Sequence, residues 1–297
     1  QISSRTARIG RPVRATRVGL VVTPSSRPMA AASRISPISA VSMNSSMGPT
    51  LPRLGFADAT GSVRRLVPEL GVLLADHRIP RLARETDPVA RIVFRGSLID
   101  PPRAAAGRAI GERFSVLHPE AKRATYVWQV CTHPPGERRP STRKGLEGGT
   151  GLLAEGPAFD HGLKASRTAA RALGADTLVL NTPPSFSPSA VHRRALVQFA
   201  EHAQGAGAIA WQASGLWEAE EVRRICSDLG WTAVERAFTA TGRPAKFGDG
   251  SWLVVEGHDR LGGRAELLVD ATDDSDCLLL FEGRFAYGNL RAVAREF

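Results

Sequence analysis

The chain has 297 residues, 42% hydrophobic and 23% charged, which is enough for one large domain or two small ones. No run approaches the roughly 18 apolar residues of a membrane helix, so a membrane partner is not expected. The net charge of +10 misleads, because residues 1–54 hold eight arginines and no acidic residue, leaving +2 for residues 55–297. The bulk charge of the folded part therefore gives no support for a nucleic-acid partner.

Residues 1–58 are rich in Ser, Arg, Pro and Ala. Such a segment has too little apolar surface to offset its ordering entropy, so a disordered basic extension is expected. The same composition describes an organellar transit peptide. Met29, Met43 and Met47 also allow the segment to be an upstream extension that the mature protein lacks. Cys131, Cys226 and Cys277 are widely spaced and form no CxxC pair, which fits reduced thiols in a cytoplasmic setting.

From residue 66 onward, β/α alternation begins. Apolar runs predict strands at 70–75, 90–94 and 124–131, then 177–181, 208–212, 231–235, 251–256 and 277–281. Helices are expected near 103–114, 157–173, 190–204, 218–229 and 287–296. Pro101 and Pro102 open the first, Ser189 can cap the third, and Gly174, Gly205 and Gly230 stop the second, third and fourth. Between 260 and 276, Gly262, Gly263 and the acidic run around Asp273 leave little room for a helix. Strand–helix–strand units of this number predict a TIM-type (β/α) barrel over 66–297, whose site lies at the C-terminal strand ends.

Those strand ends are polar. Alternation along a strand groups Gln129, Cys131 and His133 on one face, Gln212 with Ser214, and Glu256 with His258. A mouth holding His77, His133, Glu256, His258 and Glu282 would suit a divalent metal, and a bound metal makes a hydrolytic nucleophile of water. In that reading His133 and Glu256 are the candidate catalytic residues. The structural alternative has His133 bonded to a backbone carbonyl, Glu256 and Glu282 paired with Arg236 or Arg284, and Gln129 bridging to Gln212. Asn181 ends the fourth strand and is a candidate ligand contact. The loop after strand three carries Arg138, Arg139, Arg143 and Lys144, and Arg forks match phosphate oxygens.

Three segments resemble the domain-of-unknown-function 72 (YecE-like) family, in its archaeal-type branch. They are Trp128-Gln-Val-Cys-Thr-His-Pro134, Asn181-Thr-Pro-Pro-Ser-Phe186 and Ala210-Trp-Gln-Ala-Ser-Gly-Leu-Trp217. The end, Leu280-Phe-Glu-Gly-Arg-Phe-Ala-Tyr-Gly-Asn289, and Asp100-Pro-Pro-Arg103 fit more loosely. The resemblance implies a TIM-type barrel akin to metal-dependent barrels. It also marks departures: Gln212 and Ser214 stand where the family tends to have Glu and Arg, and Glu282-Gly283 replaces a paired Asn.

The sequence carries no P-loop, HExxH, GxSxG elbow or Rossmann fingerprint, so nucleotide-dependent phosphoryl transfer and serine hydrolysis are not expected. The leading expectation is a phosphate-bearing ligand at the barrel mouth, with metal-assisted hydrolysis as its catalytic form. Gln129, Arg138, Arg139, Arg143, Asn181 and Gln212 would bind it. The alternatives are a non-catalytic binding protein on a degenerate site, or a nucleic-acid backbone held by the basic loop and tail.

Overall fold

The structure, a computed structural model, describes residues 67–76, 83–142, 149–257 and 259–297. The expectations for residues 1–58, and for His77, Arg143, Lys144 and His258, lie outside the described residues. Eight parallel strands close into a barrel in chain order. They are β1 (Glu69–Leu74), β2 (Arg91–Phe94), β3 (Lys122–Tyr126), β4 (Thr177–Asn181), β5 (Ala208–Gln212), β6 (Thr232–Arg236), β7 (Trp252–Glu256) and β8 (Leu278–Glu282). The TIM-type barrel expected from the alternation is the observed architecture.

Helices join the strands: α1 (Ala104–Leu117), the single turn α2 (Gln129–Thr132), α3 (Pro157–Leu173), α4 (Ala190–His202), α5 (Ala219–Leu229), α6 (Arg264–Thr272) and α7 (Ala286–Ala294). Ser189 Oγ accepts the N–H of His192 and caps α4. Gly174, at φ 66°, ends α3 in the left-handed conformation that a side chain would strain.

The strands are apolar on both faces because both are covered. Inward residues Leu73, Val93, Ala124, Val179, Ala210, Val234, Val254 and Leu280 fill the barrel. Alternate residues such as Val72, Ile92, Leu178, Trp211, Leu253 and Phe281 pack outward against the helices. Each buried side chain of this size contributes about 1.5–3 kcal/mol relative to exposure. At the N-terminal end of the barrel, Arg91 lies 4.8 Å over the Trp252 ring and pairs with Asp176 at 2.8 Å.

Two expectations need correction. Strand three stops at Tyr126, five residues short of Cys131. The buried hydroxyl of Ser97 accepts from Tyr126 N–H at 2.9 Å and donates to Tyr126 C=O at 3.0 Å. Those backbone groups are therefore satisfied by a side chain where the neighbouring strand has already turned, and the chain curls into α2. Gln129, Cys131 and His133 consequently do not share a strand face. The second correction is α6, which forms within 260–276. Gly263 starts it, and Ala265, Leu268, Val269 and Thr272 make a buried stripe at helical spacing. The acidic run follows that helix instead of interrupting it.

Candidate functional site

The strand alternation carries one further inward residue per strand to the C-terminal mouth, above the apolar filling. Asn181, Gln212, Arg236, Glu256 and Glu282 are the last residues of β4 to β8 and continue the inward parity of Val179, Ala210, Val234, Val254 and Leu280. Arg95 follows β2 in a 3-10 turn, and Tyr126 ends β3. Asn181 and Gln212 are register partners, as are Glu256 and Glu282.

These groups sort into pairs. Arg95 meets Glu282 at 2.6 Å in a partly buried salt bridge. Arg236 meets Glu256 at 3.5 Å, and both side chains are well exposed, so this pair contributes little. The Tyr126 hydroxyl donates to Gln212 Oε1 at 2.9 Å, and Asn181 Nδ2 donates to the same oxygen at 3.2 Å. Two donors on one oxygen fix the Gln212 amide, leaving its Nε2 hydrogens as donors toward the mouth. Burial pushes the Tyr126 phenol well above its ordinary value, with Glu282 adding to the rise and Arg95 opposing it. The phenol stays protonated and remains a donor.

A cavity of about 190 Å³ lies on the β1–β5 side of the mouth. Its walls are Ala75, Leu98, Ile99 and Tyr126 with the polar groups of Arg95, Arg139, Asn181 and Gln212. Arg139 is exposed, and no carboxylate among the described residues makes a salt bridge with it. A larger cavity of about 330 Å³ lies over the ends of β6 and β7, lined by Arg236, Phe238, Glu256, Asp259 and Arg264 among others. Close approach of the strand ends shapes this rim. A Cβ on Gly257 would stand 2.1 Å from the Glu282 carbonyl oxygen, so only glycine fits there.

The structure thus brings together three of the residues singled out from the sequence, Arg139, Asn181 and Gln212. Gln129 is turned elsewhere. It is buried, its Nε2 donates to Arg139 C=O at 2.8 Å, and its Oε1 accepts from Arg139 N–H at 2.9 Å. It makes no bridge to Gln212. The Arg138 guanidinium is taken up by the carbonyls of His133 at 2.8 Å, Val130 at 3.4 Å and Gly149. Arg143 lies outside the described residues.

His133 and Glu256 are not brought together. His133 sits in the loop after α2, lines neither mouth cavity, and its Nδ1 lies 2.7 Å from Thr132 Oγ1. Burial pushes its imidazole down to about 4, with Glu137 opposing and the Arg138 and Arg139 cations adding to the fall. The ring is therefore neutral at pH 7. Glu256 faces the β6–β7 cavity beside Arg236. Among the described residues no three His, Cys, Asp or Glu side chains are grouped to hold a metal. All three cysteines are free and buried, and burial pushes each thiol up to about 12. Tyr126 and Arg95 were missed as site residues. The signal existed in the parity of Ala124 and Tyr126, but it pointed to the mouth only once the end of the strand was known.

No protein-family model matches the chain, and no curated protein matches it. Solved structures do. A DUF72 family protein from Enterococcus faecalis V583 is similar over 77% of this chain and 96% of its own, with 10% identity and a TM-score of 0.50. A DUF72 family protein from Thermotoga maritima MSB8 covers 78% of this chain and 98% of its own, at 10% identity and a TM-score of 0.46. A xylose isomerase domain containing protein from Salmonella typhimurium LT2 gives 77%, 97%, 10% and 0.47. None of the described helices is long and apolar enough to cross a membrane. At this identity the likeness to the Enterococcus protein shows a shared fold, and it is the fold that the strand-end motifs implied: the chain is a closed (β/α)8 barrel.

Proposed function

We propose that the chain binds a small phosphate-bearing ligand at the C-terminal mouth of its barrel. One observation carries the reading. The 190 Å³ cavity gathers the guanidinium of Arg139, which has no carboxylate partner among the described residues, with the braced amides of Asn181 and Gln212. Arg95 lines the same cavity, with its charge already shared by Glu282. A guanidinium fork and an amide N–H pair are donors, which suits oxygens that only accept. The walls of Leu98, Ile99 and Ala75 lower the local dielectric and strengthen those contacts.

The support is for binding: Glu256 and Glu282 each face an arginine, while the donors of Arg139, Asn181 and Gln212 line the cavity. The test is a titration of the full chain with inorganic phosphate, followed by calorimetry and by thermal stabilisation. A ligand that binds only the folded state stabilises it by about 2.7 kcal/mol at 100 times its dissociation constant. Replacing Arg139 by Ala removes a charge-assisted contact of about 1.5–3 kcal/mol, so phosphate binding should weaken roughly 10- to 100-fold. Unchanged phosphate affinity in Arg139→Ala would refute the assignment.

A further inference from the structure

Arg139 is exposed on a loop, yet its backbone is held at both ends of a short segment. On the inner side, the buried amide of Gln129 takes the N–H and the C=O of Arg139 together, at 2.9 and 2.8 Å. A side chain that pairs with both backbone groups of one residue acts as a single rung of β-ladder and fixes where that residue sits. On the outer side, the Asp100 carboxylate accepts from Thr142 N–H at 3.1 Å, from Thr142 Oγ1 at 3.1 Å and from the Ser141 hydroxyl. Pro140 lies between the two anchors.

The anchors join the two walls of the mouth cavity. Leu98 and Ile99, just before Asp100, line one side, and Arg139, two residues before Ser141, lines the other. The Trp128 indole N–H, which donates to Ile99 C=O at 2.8 Å, ties the same two loops together lower down. With its main chain held, the side chain of Arg139 is the part of this segment left to meet a ligand.

We propose that residues 134–142 form a strap over one side of the mouth, and that Gln129 and Asp100 are the positioning residues that hold Arg139 toward the cavity. The inference rests on the anion-binding reading for its ligand, while the geometry of the strap is independent of it. The two anchors differ in strength. Gln129 is buried, whereas the Asp100 clasp is exposed and competes with water, so the clasp opens first and the strap swings about Gln129. A closed strap presents Arg139 already ordered. That ordering lowers the entropic cost of binding and slows escape more than it speeds entry.

The experiment compares full-length wild type with Asp100→Ala, Asp100→Asn and Gln129→Ala. It measures amide hydrogen exchange at Arg139 and Thr142 without ligand, and then the on- and off-rates of inorganic phosphate. Asp100→Ala should speed exchange at Thr142 about tenfold or more, leave the Arg139 N–H held by Gln129 and the β4 amides protected, and raise the phosphate off-rate more than it changes the on-rate. Asp100→Asn keeps an acceptor for the Thr142 N–H and should recover part of both effects, which a loss of general stability would not show. Exchange in the strap that is the same in Asp100→Ala as in wild type overturns the proposal. So does a variant whose exchange rises equally throughout the barrel. Exchange that rises in the strap alone, in a protein that binds no phosphate, supports the strap and refutes the anion-binding reading instead. Should Gln129→Ala fail to fold, the two Asp100 variants carry the test, because their site is on the surface.

Discussion

His133 offers a sharp test of how far burial governs this barrel. Its imidazole is pushed down to about 4 from an ordinary 6.5, with burial as the leading cause. The unfolded chain therefore binds a proton at His133 that the folded chain refuses, over the interval between those two values. The sign follows from linkage: the contribution is fully present above pH 6.5 and is lost as pH falls toward 4. A shift of that size corresponds to about 3 kcal/mol at 1.36 kcal/mol per unit, and to about 2 kcal/mol once solvent screening of a partly exposed ring is allowed for. Replacing His133 by Gln removes this titration while keeping a polar side chain beside Thr132. Urea unfolding at pH 7 and at pH 4 should show wild type losing about 2 kcal/mol more than His133→Gln across that span. Other titrating groups, such as the buried His118 whose imidazole is also lowered by burial, are common to both proteins and cancel in the difference. Proton NMR of the ring should place its midpoint near 4. A midpoint at 6 or above, or equal pH dependence in the two proteins, would refute the argument that burial holds this ring neutral.

Two more perturbations probe the scaffold under the mouth. Trp211 is fully buried on the outer face of β5, with its indole N–H donating to Thr182 Oγ1 at 3.1 Å and its ring edge-on to Trp217 at 5.1 Å. Trp211→Ala should cost about 3–5 kcal/mol, read as a lowered urea midpoint with little change in slope. Tyr126→Phe removes the donor that orients the Gln212 amide and should cost about 1 kcal/mol of stability. It should also weaken phosphate binding without changing the fold, as calorimetry and circular dichroism would show.

Much of the barrel was legible in the order of the residues. The runs at 177–181 and 208–212 coincide with β4 and β5, and the helix expected at 157–173 is α3 from end to end. Here the local signals agree: an apolar strand, a proline or serine at the helix start, and a glycine at its end. The parity of β5, β7 and β8 likewise carried Gln212, Glu256 and Glu282 to the mouth. Strand three misled because its run of apolar residues continues past Tyr126 into a helical turn that is just as buried, and burial alone does not distinguish the two conformations. The helix at 264–272 was hidden for the opposite reason. Its flanking glycines and acidic residues argued against it, while its apolar stripe is only a few residues long.

Alternation of apolar strands with amphipathic helices determined the (β/α)8 barrel and the end at which polar residues gather. That information is local, carried by periodicity and by turn residues. Which polar residues meet was decided only by closure of the barrel. Arg95 reaches Glu282, and Tyr126 reaches Gln212 86 residues away, because strands distant in the chain become neighbours across the mouth. The same folding spends Arg138 and Gln129 on backbone groups of the segment that follows strand three, and keeps Arg139 for the cavity. A side chain's hydrogen-bond partners are set by tertiary neighbours, and residue type along the chain does not specify them.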